Sequence, residues 1–368
     1  MRTTLESMLE SVVRTAATIA GSLPTPIQRA LGGRPVRVDG QELNTEIQLM
    51  LRMLALLPDS DFEQLPIAKS RAQIDMEARL VSGRPIPMAS VESLAIPGPA
   101  GTIPARMFRP EGLPATAPLL VYFHGGGFVL GSLDSHDSLC RFLARHAEVA
   151  VLAVDYRLAP EHAFPAAADD AVAAFHYAVA NAASLGIDPD RVAVAGDSAG
   201  GNLAAVVSQL TRDGGPRPAF QMLFFPWLDM TAKRRSYQLF SDGFFLTEAQ
   251  MDWYTNHYVP AAEDRTDPRA SPILAEDLTG LPPAYVAISG FDVLRDEGIE
   301  YAERLRAAGV PTTLRVHDDL VHAFVNLTGY GRAGVDALLE AVGALRVGLS
   351  FAPRRVSEPG LEIAERAE

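Results

Sequence analysis

Gly196-Asp197-Ser198-Ala199-Gly200 sets a serine between small residues, directly after an apolar, β-branched run (191–195) and directly before a helix-like stretch (201–212). Strand, Gly-x-Ser-x-Gly, helix is the context of a nucleophile elbow, a strained turn that lifts the serine hydroxyl to the end of a sheet. The positions two before and two after must be small because neighbouring backbone passes close to them. Upstream, another buried-strand run (119–123) empties into His124-Gly125-Gly126-Gly127-Phe128. Consecutive glycines cost backbone entropy and are kept where the chain must be bare or take positive φ. Bare N–H groups suit an oxyanion hole, where they meet the oxygen that turns negative when an ester carbonyl is attacked. A phosphate-binding turn is the other use of such a segment, but neither Gly-x-Gly-x-x-Gly nor a Gly-Lys-Ser/Thr loop occurs.

A serine nucleophile needs a base, and the base an orienting acid, in the chain order Ser, Asp/Glu, His. Of eight histidines only His257, His317 and His322 follow Ser198. His257 precedes any acid-bearing strand end, and His317 closes a strand-like run (312–316). His322 follows the expected loop 318–321 and is favoured as base. The spacing of His317 and His322 does not fit a zinc helix motif, and no third ligand accompanies them. No metal or cofactor is expected. The acid should end the strand-like run 284–290. Asp292 lies in the loop beyond it, whereas Asp296 and Glu297 begin a helix, where acids complement the dipole.

Together, His124-Gly125-Gly126-Gly127, Asp155-Tyr156-Arg157-Leu158-Ala159-Pro160-Glu161, the Gly196–Gly201 block and Asp292-Val293-Leu294-Arg295-Asp296-Glu297-Gly298 resemble the microbial hormone-sensitive-lipase-like esterases, in their GDSAG subgroup. The resemblance spans residues 90–348 with the blocks in order. It implies an α/β-hydrolase fold, with Ser198 as nucleophile, Asp292 as acid and His322 as base. It further implies an oxyanion hole of the Gly126, Gly127 and Ala199 N–H groups. One departure is Ala323, where the family has glycine after the histidine.

The elements that must position these residues alternate. Hairpin strands at 91–97 and 101–108 are followed by strands at 119–123, 149–154, 191–195, 220–225, 284–289 and 312–316. Helices at 138–147, 166–185, 295–308 and 333–349 lie between and after them. This order predicts a mostly parallel, eight-stranded α/β sheet covered on both faces. Between 226 and 280 the alternation breaks and aromatic residues gather, which reads as a cap insertion. The expected organisation is cap helices at 1–60, catalytic domain at 61–225 and 281–350, and a disordered tail at 351–368. Phe244, Phe245 and Trp253, with Phe128 after the glycines, are the expected acyl-binding residues.

A net charge of −13 argues against nucleic acid and anionic membranes as partners. A single Cys140 excludes an intrachain disulfide, as in a reducing, cytoplasmic setting. The early acids Glu6 and Glu10 argue against a signal peptide. Instead Leu5, Met8, Leu9, Val12, Val13, Ala16, Ile19 and Ala20 share one helical face, opened by a Thr3-x-x-Glu6 capping box. A second apolar helix is expected at 44–57, ended by Pro58, and neither helix is long or apolar enough to span a bilayer. The expected activity is hydrolysis of short- to medium-chain carboxylic esters through an acyl-enzyme, with a small-molecule ester as partner. Acyl transfer to another acceptor shares that intermediate, and a receptor on the same scaffold would typically have lost a triad residue. The oligomeric state, a homodimer among the options, is open.

Overall fold

The computed structural model describes residues 4–55 and 62–350, with side chains described from residue 12 onward. A small antiparallel hairpin, β1 (Arg37–Val38) with β2 (Gln41–Glu42), precedes the main sheet. That sheet runs β3 (Ser90–Gly98), β4 (Gly101–Arg109), β6 (Ala150–Val154), β5 (Ala117–Phe123), β7 (Ile187–Asp197), β8 (Phe220–Phe224), β9 (Ala284–Phe291), β10 (Thr312–Val321) across its width. The hairpin β3–β4 pairs antiparallel at one edge, and the strands from β6 to β10 are parallel. The eight-stranded, mostly parallel α/β sheet read from the sequence is therefore present.

Its strands show why continuous apolar runs marked them. Every residue of β6, β8 and β9 is buried, as expected for parallel strands covered on both faces. Helices α5 (Asp137–Ala147), α6 (Ala166–Ala180), α7 (Ala199–Leu210), α10 (Arg295–Ala307) and α11 (Ala333–Ser350) provide the cover. Cys140 lies fully buried in α5, and burial pushes its thiol pKa well up. No described helix is long and apolar enough to cross a membrane.

Several boundaries differ from the sequence expectation. The run 318–321, expected as a loop, continues β10 after a register irregularity between His317 and Val321. Helix α6 stops at Ala180, because the Asn181 side chain turns back onto the Tyr177 carbonyl. The second N-terminal helix is shorter, α3 (Thr45–Leu54), and Asn44 is its cap, accepting from the Glu46 N–H. Pro58, the Thr3 capping box and the tail at 351–368 lie outside the described residues. In α1 (Thr4–Ser22) the expected apolar face is divided: Val13 and Ala20 are half-buried, while Val12, Ala16 and Ile19 are exposed. Helices α2 (Thr25–Gly32), carrying Pro at its start, and α4 (Ile67–Val81) went unread.

The N-terminal helices are tied to the edge that carries His322. The Asn44 N–H and side-chain amide donate to the carbonyl and carboxylate of Asp319, and Glu46 accepts from the N–H groups of Arg332 and Ala333.

Candidate active site

Ser198, Asp292, His322 and the glycine segment each stand at the carboxyl end of a parallel strand, the edge of an open α/β sheet where crevices form. Ser198 joins β7 to α7 with φ +56° and ψ −117°, outside the regions ordinary residues prefer. The turn is fixed on both sides. Ser198 N–H donates to the Phe224 carbonyl at 2.9 Å, and Trp227 N–H donates to the Ser198 carbonyl at 3.1 Å. A Cβ at Gly200 would collide with the Phe123 carbonyl, and one at Gly196 with Gly200. The two flanking glycines of the motif are thus demanded by backbone approach.

Asp292 follows β9 directly and His322 follows β10 directly. The Asp292 Oδ2 lies 2.7 Å from His322 Nδ1, with Asp292 1% and His322 7% exposed. The other carboxylate oxygen accepts the Leu294 N–H at 2.9 Å, which orients the acid. Phe225, strained at φ +34°, sets its ring 4.5 Å from the imidazole. Ala323 takes φ +64°; alanine occupies a left-handed position there at roughly 1–2 kcal/mol above glycine.

In the glycine segment Gly126 has φ +113° and Gly127 φ +60°. The Gly126 carbonyl accepts from the Val129 and Leu130 N–H groups, which folds the segment into a turn beyond β5. Ala199 opens α7, where an N–H has no partner in the helix ladder.

Comparison with known proteins places this geometry. A family model described as alpha/beta hydrolase fold matches residues 120–326. The chain belongs to the α/β-hydrolase family. It is 48% identical over 354 residues to the carboxylic ester hydrolase LipN of Mycobacterium tuberculosis, covering 92% of each chain. It is 38% identical over 283 residues to the ethyl acetate hydrolase of Pseudomonas putida, covering 76% of this chain and 89% of the relative. Among solved structures, an ester-hydrolase from the Lake Arreo metagenome superposes with a TM-score of 0.81 at 43% identity, covering 84% of this chain and 99% of that one. The Pyrobaculum calidifontis esterase gives 0.79 at 37% identity, covering 83% and 98%. These relatives bear out the resemblance to hormone-sensitive-lipase-like esterases.

In this α/β-hydrolase the aromatic candidates are dispersed. Phe128 is fully buried, its ring stacked on Tyr258 at 3.8 Å. Trp253, on α9 (Glu248–Tyr258), packs against Phe62 and His257. Phe244 meets Phe240 and Phe291, the residue before Asp292. Phe245 is 42% exposed at φ +79°. A cavity of about 150 Å³ beside Trp227 is lined by Tyr237, Met251 and Thr255, among others, but not by Phe244, Phe245 or Trp253. Tyr254 of the same helix lies flat enough on Gly127 that a Cβ there would enter its ring.

Two buried acids near the site have roles that their sequence context does not show. Glu297, read only as a helix-start acid, accepts the Leu228 N–H at 2.6 Å and so fixes the turn after β8. Burial pushes its pKa well up, against the backbone donor and Arg234. Asp197, in sequence only a member of the motif, gathers several buried donors on its side chain. No local signal separates these acids from surface ones, because their partners are distant in sequence.

Proposed function

We propose that this carboxylic ester hydrolase works through Ser198, His322 and Asp292, with the Gly126, Gly127 and Ala199 N–H groups as its oxyanion hole. The observation that carries the reading is the buried 2.7 Å contact of Asp292 with His322 Nδ1, at the same sheet edge as the strained Ser198 turn. Held by Asp292, the imidazole keeps its Nε2 for the serine. His322 takes the Ser198 proton as Oγ attacks the ester carbonyl, and the tetrahedral oxygen's charge is met by the three N–H groups. Collapse expels the alcohol, which takes its proton from His322. Water, deprotonated by His322, then attacks the acyl-enzyme, and Ser198 regains its proton as the acid leaves.

The described residues of 1–60 and the segment 226–280 act as a cap in this reading, with Tyr254 seated on Gly127. A ring seated on the glycine segment limits the room beside it and favours short- to medium-chain acyl groups. A net charge of −13 and the buried free thiol fit a cytoplasmic enzyme without a nucleic-acid partner.

The test is Ser198→Ala assayed on p-nitrophenyl butyrate, with a fluorophosphonate probe as second readout. The variant should keep less than about a thousandth of the wild-type rate and take up no probe. A higher residual rate, or labelling elsewhere, would remove Ser198 from its role.

A further inference from the structure

Asp197 directly precedes the nucleophile, and no step of the reaction above uses it. It is 3% exposed, a setting in which an uncompensated charge is costly. Its carboxylate joins three segments distant in the chain. Oδ1 accepts the Tyr122 hydroxyl at 2.6 Å, from β5, and the Gly125 N–H at 3.0 Å, from the glycine segment. Oδ2 lies 3.2 Å from Nε2 of His136, the residue that leads into α5. His136 is itself held, with Nδ1 2.9 Å from the Ser135 hydroxyl, which donates to the Ser132 carbonyl. The contact leaves no slack, since a Cβ on Gly125 would run into Asp197 Oδ2. Burial would raise the Asp197 pKa; the His136 charge and hydrogen bond, with the Tyr122 hydroxyl, outweigh it and hold the carboxyl at about 2.

We propose that Asp197, braced by His136, is a positioning residue for the oxyanion hole. It pins the start of the glycine segment to the elbow, so that the Gly126, Gly127 and Ala199 N–H groups converge where the tetrahedral oxygen forms. The inference rests on the oxyanion assignment made above. Ground-state ester binding draws little on those donors, whereas the transition state depends on them, and misplacement by about 1 Å can cost on the order of 100-fold.

The experiment compares Asp197→Ala with Asp197→Asn, which keeps an oxygen for Tyr122 and Gly125 but loses the charge facing His136. Leu345→Ala, a cavity variant in the α11 core, controls for lost stability. Substrate kinetics are read on p-nitrophenyl butyrate. Affinity is read for an alkyl trifluoromethyl ketone, whose serine adduct places an oxyanion in the hole. Asp197→Ala should lower kcat about 100-fold with KM within about twofold, and weaken the ketone by a similar factor. Asp197→Asn should recover part of the loss, to about tenfold below wild type, and Leu345→Ala should lower Tm while sparing both readouts. An unchanged kcat in Asp197→Ala, a loss confined to KM, or undiminished ketone affinity would overturn the proposal. If Asp197→Ala does not fold, Asp197→Asn decides, and a kcat within about twofold of wild type overturns it. A Ser198→Ala enzyme that stays active strikes the underlying assignment instead; full dependence on Ser198 with indifference to Asp197 strikes this inference alone.

Discussion

The ends of β5 and β7 and the dispersed aromatic residues Phe128, Phe244 and Trp253 hold their side chains by different means. At the strand ends, position is set by hydrogen bonds between groups that have no room to move. Ser198 is bonded through both its N–H and its carbonyl, Asp197 takes up Tyr122 and Gly125, and the Tyr156 hydroxyl reaches the His124 carbonyl at 2.7 Å. Phe244, Trp253 and Phe128, by contrast, each pack against neighbouring rings at centroid distances of 3.8 to 5.8 Å. Directional bonds fix where an atom stands; ring packing fixes how much space is left. Chemistry is expected to depend on the first region and acyl selection on the second.

The sharpest way to break that contrast is Asp292→Asn. The amide keeps the shape of the acid but cannot hold the imidazole in its working tautomer, and kcat should fall on the order of 10⁴-fold, roughly 5 kcal/mol of barrier. Its KM should stay near the wild-type value. A loss below about tenfold would mean that the 2.7 Å contact is structural only.

Next in size is Gly200→Ala. The added methyl has nowhere to go, because the Phe123 and His124 carbonyls occupy its place. Moving β5 or α7 should cost on the order of 4 kcal/mol, the range reserved for strain and overpacking in a rigid region. Denaturant melts would check it; a variant as stable as wild type would show that the elbow has more slack than its contacts allow.

The same contrast decided what the sequence could show. Motifs whose chemistry is local to the chain, the elbow and the glycine segment, were legible because sterics dictate the residue types. The succession of strands along the chain followed from alternation, and each of the eight main strands overlaps its expected run. Bonds made across the fold were not legible. Nothing beside Asp197 or Glu297 in the sequence names Tyr122, Gly125 or Leu228 as partners. The continuation of β10 through Val321 was hidden by Asp318 and Asp319, whose polarity reads as a turn but suits an edge strand. Helix α2 is only eight residues long and α4 carries a weak apolar pattern, and both begin at prolines that read as breaks.

A third prediction concerns acid stability. Burial, helped by the charge of His136, lowers the His124 pKa to about 4, from 6.5 for a free imidazole. The unfolded chain therefore binds a proton below about pH 6.5 that the folded chain refuses until about pH 4, so stability falls as pH drops through that window. The contribution is roughly 3 kcal/mol. Asp197 adds a loss at lower pH: its folded value of about 2 lies below the ordinary 3.8, so its stabilisation disappears as pH falls from about 4 to about 2. Urea melts at several pH values would separate the two, and His124→Gln should flatten only the upper window. A slope between pH 6.5 and 4 that survives in His124→Gln would place the responsible group elsewhere.

The smallest effect belongs to the aromatic residues and tests which of them sets the room for the acyl group. Phe245 is 42% exposed and held at positive φ by a turn, so truncation to alanine forfeits little packing, under about 1 kcal/mol. Trp253, clasped by Phe62, Tyr254 and His257, should cost more stability when truncated, because it braces the helix whose Tyr254 rests on Gly127. If acyl chains are selected by the room under that helix, kcat/KM across p-nitrophenyl esters should peak at about four to eight carbons. Each methylene gained is worth ~0.8 kcal/mol until the pocket ends. Trp253→Ala should move the peak toward longer chains, whereas Phe245→Ala should leave it in place and change rates by less than about threefold. A peak that shifts with Phe245 and not with Trp253 would reverse the assignment, making the exposed ring the gate and the packed one a strut.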